Sequence, residues 1–119
     1  MSKSIFIAKI LVLGALVCGL QAAKASVVVY DFESFNDPTS LTNQLGCLSF
    51  GNATVLTAGI SLNEIAFPPR SGSNVVFDDG GAITIDFASS VFGVGGYLTY
   101  SVGLTFSIYD SNHQLLGSA

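Results

Sequence analysis

The sequence predicts an all-β chain folded as an antiparallel β-sandwich or jelly roll, and three observations carry that prediction. Short runs rich in Val, Ile, Thr, Phe and Tyr recur at fairly even spacing from Val27 to Leu116, separated by Gly, Asn, Asp and Pro turn signals. Several of these runs alternate apolar and polar residues, the period of a strand with one wet face. Composition agrees: half of the 119 residues are apolar, 13 are Gly, none is Trp and 10% are charged, so no long amphipathic helix is in view and one domain fits the length.

Residues 1–25 read as a secretory signal peptide and are set aside from the fold. Lys3 and Lys9 make a positive start, Ile10 to Leu20 is an apolar run of eleven residues, and Ala23-Lys24-Ala25 puts small residues at the cleavage positions. The apolar run is shorter than the ~20 residues that span a bilayer. A lipoprotein signal is disfavoured because Val17 stands where such a site needs a small residue before Cys18.

Residues 26–119 then form the β-domain. Val27 to Phe32 is its first strand, with Val28, Tyr30 and Phe32 on one face and Val29, Asp31 and Glu33 on the other. Asn36-Asp37-Pro38 turns the chain, and the polar segment to Gln44 reads as a loop with at most a short helical turn. Cys47 to Phe50 and Ala53 to Thr57 are short strands around Gly51-Asn52, a hairpin turn or a bulge. Ser61-Leu62-Asn63-Glu64 has capping-box spacing, but Pro68 and Pro69 stop any long helix, and the irregular stretch to Asn74 is long for so small a domain. Val75 to Phe77 and Ile83 to Phe87 are expected to pair as a hairpin through Asp78-Asp79-Gly80-Gly81. Val91 to Val94 and Tyr97 to Tyr100 follow across a kink or bulge at Gly95-Gly96. Leu104 to Tyr109 alternates with Leu104, Phe106 and Ile108 inward, and Asp110 to His113 turns into a return strand at Gln114-Leu115-Leu116. The run stops at Gly117-Ser118-Ala119, so the sandwich is expected to be incomplete at its C-terminus.

Charge and cysteine content narrow the function. With the signal go Lys3, Lys9 and Lys24, leaving Arg70 against eight carboxylates, a net charge of −7 for residues 26–119. That balance argues against nucleic acid or anionic lipid as a partner, since both need clustered Lys and Arg. Arg70 is expected to pair with one of the carboxylates. Cys18 leaves with the signal, so Cys47 is expected to be a small buried residue with no intramolecular disulfide, intermolecular pairing being the alternative.

One resemblance emerges from several stretches: Val-Tyr-Asp-Phe-Glu after the signal, Gly-Cys-Leu-Ser-Phe-Gly-Asn-Ala-Thr-Val-Leu, Ser-Leu-Asn-Glu, Phe-Pro-Pro-Arg-Ser-Gly-Ser-Asn-Val, Val-Gly-Gly-Tyr-Leu-Thr-Tyr and Leu-Thr-Phe-Ser-Ile-Tyr-Asp. Together they resemble the N-terminal part of exported bacterial proteins that carry a PEP-CTERM sorting tail, whose bodies are galactose-binding-like β-sandwiches. The resemblance implies export, sorting by an exosortase and association with extracellular polysaccharide. The residues given hold no Pro-Glu-Pro motif, so sorting concerns a longer parent protein.

Candidate sites are few. Asp31 and Glu33, two apart on a strand, share a face and form a carboxylate pair of the kind that serves glycoside hydrolysis or holds calcium, though solvated strand polarity explains them as well. Asp78 and Asp79 are either turn residues or ligands of a structural calcium ion. Tyr97 and Tyr100 are candidate stacking platforms for sugar rings, with ordinary packing as the alternative. His113 is the only histidine, no Gly-x-Ser-x-Gly elbow occurs and no glycine-rich phosphate loop is present, so no catalytic residue is assigned. Three functions follow in order: a non-catalytic exported surface or matrix protein associated with exopolysaccharide, a calcium-stabilised carbohydrate-binding module of a larger protein, and a small secreted hydrolase.

Overall fold

The computed structural model describes residues 5–13 and 27–119. They form ten strands: β1 (Ile5–Leu13), β2 (Val27–Tyr30), β3 (Thr39–Leu41), β4 (Leu48–Gly51), β5 (Ala53–Thr57), β6 (Asn74–Asp78), β7 (Thr84–Phe87), β8 (Gly93–Tyr100), β9 (Ser107–Tyr109) and β10 (Leu115–Ser118). All ladders between them are antiparallel. The protein is all-β, with no helix among the described residues, and its sheets are consistent with a β-sandwich.

A bent two-stranded ribbon dominates the architecture. One arm runs through β4 and β5, the other through β6 and β7, so that Leu48 to Gly51 pair with Phe87 to Thr84 and Ala53 to Thr57 pair with Asp78 to Asn74. At Asn52 (φ 54°) and the segment 79–83 the ribbon turns a corner, passing from the large sheet into the separate β4–β7 sheet. Hydrogen bonds hold the corner: the Asp79 amide donates to the Asn52 carbonyl at 2.9 Å, and the Asn52 side chain donates to the Ala82 carbonyl at 3.1 Å. Gly51 lies so close to Thr84 that a Cβ there would run into the threonine hydroxyl.

This corner replaces the hairpin expected from Val75 to Phe87. Strand β6 is buried without alternation from Asn74 to Val76, because Val76 packs into the main core on one face and Val75 against Leu62 on the other, whereas β7 alternates exposed and half-buried residues. The two belong to different sheets, and Asp78-Asp79-Gly80-Gly81 connects sheets instead of closing a hairpin.

In the large sheet the order is β2, β1, β6, β5, β3, with β8 on the other edge of β1. Residues 10–13 of β1 pair with β2 and residues 6–7 with β6, so these two strands share one edge, while β8 lines the opposite edge from Ile5 to Leu13. The stretch read as an export signal therefore contributes a central strand. The other signal positions, including Cys18 and Ala23-Lys24-Ala25, lie outside the described residues. Among those described, no helix is long and apolar enough to cross a membrane.

Phe32, Leu41, Ala53, Val55 and Val76 form the main core, covered by Phe50, Ile85 and Phe87 of the smaller sheet and by Tyr30, Phe35 and Val94. Phe32 meets Phe50 edge to face, with ring centroids 6.3 Å apart and planes at 77°. It does so from a positive φ of 63°, because the chain leaves β2 at Tyr30 and folds its ring inward; the expected strand to Phe32 ends two residues early. A second cluster, Leu62 and Val75 with Leu56, Ala58 and Phe67, closes the far end under the 58–73 connection.

Other local expectations are corrected as well. The segment read as a loop before Gln44 contains β3, which seals β5 with the fully buried Leu41. Strand β8 passes through Gly95 and Gly96 in unbroken register, with neither the kink nor the bulge expected there, and the irregularity in that ladder falls between Ile7 and Lys9 of β1. The β9–β10 hairpin turns at Asp110, whose Oδ1 accepts from the Asn112 and Gln114 amides. Its regular pairing is shorter than the expected strand, and Phe106 and Ile108 are exposed, not inward.

Candidate functional site

An open cleft of about 340 Å³ lies where the 58–73 connection meets β8, lined by Pro68, Pro69, Arg70, Tyr97, Leu98 and Thr99. The prolines stiffen the loop side, since each fixes φ and Pro68 holds the preceding residue extended. Arg70 places its guanidinium 4.4 Å from the centroid of the Tyr97 ring. The expected pairing of Arg70 with a carboxylate is absent among the described residues; the contact over the ring takes its place.

Tyr97 is 45% exposed and Tyr100 55%, so neither ring is core. They stand three positions apart on one continuous strand, and alternation sends them to opposite faces. Only Tyr97 belongs to the cleft, and the pair does not form one platform.

The carboxylates have other partners. Glu33 accepts from the Asn74 amide at 2.8 Å and from the Ser73 amide at 3.1 Å. That grip passes over Gly72 (φ 64°), where a Cβ would meet the Glu33 carboxylate, so glycine is required both for its backbone angle and for space. Asn74, 3% exposed, donates to the carbonyls of Phe32 (2.7 Å) and Phe35 (2.8 Å) and accepts from the Thr57 hydroxyl (2.6 Å). Asp37 completes the lock, accepting from the Thr57 amide and the Ser61 hydroxyl, each at 2.6 Å. Through these bonds the turn after β2 clamps both ends of the loop that carries Arg70. Sequence reasoning missed Asn74 and Asp37; the signal available was an isolated Asn opening an apolar strand.

Hydrogen bonds from Ser61 and then Thr57 hold the Asp37 carboxyl below its usual range. A depressed carboxylate contributes stability that is present above the unfolded pKa, about 4, and is lost as pH falls through the folded value. The melting temperature of the Asp37→Asn protein is therefore expected to differ from that of the parent at neutral pH and to converge with it as pH drops below about 4. Thermal scans across that range check this, and a constant gap would refute it.

Asp31 and Glu33 are not a same-face strand pair, because β2 ends at Tyr30 and the Glu33 amide donates to Asp31 Oδ1 at 3.1 Å in the turn that follows. Asp79 accepts from the buried Thr54 hydroxyl at 3.0 Å, and Asp78 is also engaged. Glu33 grips the start of β6 and Asp78 ends it, a separation of roughly 13 Å along the strand at ~3.3 Å per residue. The four carboxylates thus fall in two places, and among the described residues no group of three or more His, Cys, Asp or Glu is placed to hold a metal ion.

Cys47 is buried, as expected, but disulfide-bonded, which overturns the expectation of an unpaired thiol. The expectation arose from removing Cys18 with the signal.

The fold and site define an antiparallel all-β protein with an amphipathic surface cleft. Comparison of the chain with protein-family models, with curated proteins and with solved structures finds no match.

Proposed function

We propose that this is an exported, non-catalytic cell-surface or extracellular-matrix protein that associates with exopolysaccharide through the Tyr97 cleft. The observation that carries the reading is the composition of that cleft: an exposed aromatic ring beside two prolines, with a threonine and a guanidinium also in the lining. Sugars present the same mixture, an apolar ring face edged by hydroxyls, and shallow open sites suit chains of them. The signal-like N-terminus and the resemblance to PEP-CTERM proteins support export, and sorting by an exosortase belongs to the same reading.

Glycan-array binding of the full chain tests it. Binding is expected, with loss of about tenfold or more in affinity on Tyr97→Ala, the scale of one aromatic contact worth 1.4 kcal/mol, and little change on Tyr100→Ala. Equal losses for both variants, or no glycan bound at all, would refute the cleft as the site.

A further inference from the structure

Resting on that polysaccharide reading, we infer that the cleft takes a carboxylated sugar, a uronate unit, with Arg70 receiving the carboxylate. The contact of Arg70 with the Tyr97 ring, Cζ 4.4 Å from the centroid, takes up none of its N–H groups in a hydrogen bond. Arg70 has no ion pair and donates no hydrogen bond among the described residues, although residues 26–119 carry eight carboxylates. An exposed arginine held over a ring, with its fork free, fits the two oxygens of a carboxylate in a bidentate pair.

The rest of the lining matches the rest of a uronate. Pro68 and Pro69 offer apolar surface to the pyranose face, and Thr99, two residues from Tyr97 on the same face of β8, lines the cleft beside the ring. Preorganisation reduces what binding costs, because the ring contact and the two prolines already restrict the arginine and its loop. The net negative charge, −4 for the full chain, opposes a polyanion at long range, but a Debye length of about 8 Å at physiological salt limits that repulsion to carboxylates near the cleft. A short acidic oligosaccharide is therefore the right ligand for the test.

Isothermal titration of the full 119-residue chain with trigalacturonate and with the neutral galactose trisaccharide separates the possibilities. Trigalacturonate is expected to bind at least about tenfold more tightly than the neutral sugar, to lose that advantage on Arg70→Gln and to keep part of it on Arg70→Lys, which preserves charge without the fork. Tyr97→Ala, which releases the guanidinium, is expected to weaken the acidic sugar more than the neutral one. Unchanged melting temperatures establish that the exposed-site variants fold. Equal binding of the two sugars, or binding indifferent to Arg70→Gln, overturns the uronate inference and leaves the polysaccharide reading standing. Binding of neither sugar overturns both. Tighter binding of an acidic peptide than of trigalacturonate also overturns it, in favour of a protein ligand.

Discussion

Replacing Asn74 with alanine is expected to destabilise the protein by about 3 kcal/mol, a large share of the stability of a domain this size. The side chain satisfies three groups at once, the carbonyls of Phe32 and Phe35 and the hydroxyl of Thr57, and it is 3% exposed, so water does not replace it. Each buried group left without a partner costs roughly 1–3 kcal/mol. Asn74→Asp is expected to be worse at neutral pH, because it turns a carboxylate oxygen toward two carbonyl oxygens. Its stability should partly recover on acidification: burial raises the folded pKa of such a group, so its contribution is present at low pH and lost as pH rises through that value. Urea denaturation at two pH values checks both variants; a loss under about 1 kcal/mol for Asn74→Ala would show that the lock is dispensable. The same substitutions should impair binding, since Arg70 sits four residues ahead of Asn74 on the clamped loop.

Removing residues 1–25 is expected to have the larger effect on the sheet. Strand β1 pairs with β8 along its whole length and with β2 and β6 on its other edge, and β1 is the one ladder partner of β8 among the described residues. A chain beginning at Ser26 should show rapid hydrogen exchange across Gly93–Tyr100. Its melting temperature should fall by more than about 10 °C, the scale of a loss of 2–3 kcal/mol in a domain of this length. Unpaired edges recruit other strands, so self-association should rise with concentration. Undiminished protection of β8 would instead show that β8 closes onto the edge left by β2 and β6. The proposed export bears on this: a chain cleaved after Ala25 would lose β1, and its β8 would have to pair with other strands. Tyr97 and Thr99 lie on β8, and the cleft is tied to the same outcome.

Much of the local structure was legible in the sequence, and the reasons are local. β-Branched and aromatic runs marked β2, β5, β6, β7 and part of β8, because side-chain shape favours the pleated surface without reference to the rest of the chain. Tyr97 was legible as a candidate, as one of two tyrosines whose rings could stack on a sugar, but its separation from Tyr100 on the opposite face was decided by the strand. Arg70 was visible as the lone cation of its region, but not its partner, because an arginine's reach allows a ring or any of several carboxylates until the fold fixes what lies nearby.

Composition and periodicity by themselves determined the all-β class, the antiparallel habit and the acidity of residues 26–119. Only the tertiary structure decided which strands meet. Val75 to Phe87 carried every mark of a hairpin, yet β6 joined β5 and β7 joined β4, because burying Val75 and Val76 on both faces stabilises more than a two-stranded turn can. Asp31 and Glu33 read as a strand pair until Phe32 turned inward and sent Glu33 to the Ser73 and Asn74 amides. Strand partners, corners and polar clamps depend on residues up to 42 positions apart, such as Asn74 and Phe32, and long-range contacts of that kind leave no period in the sequence.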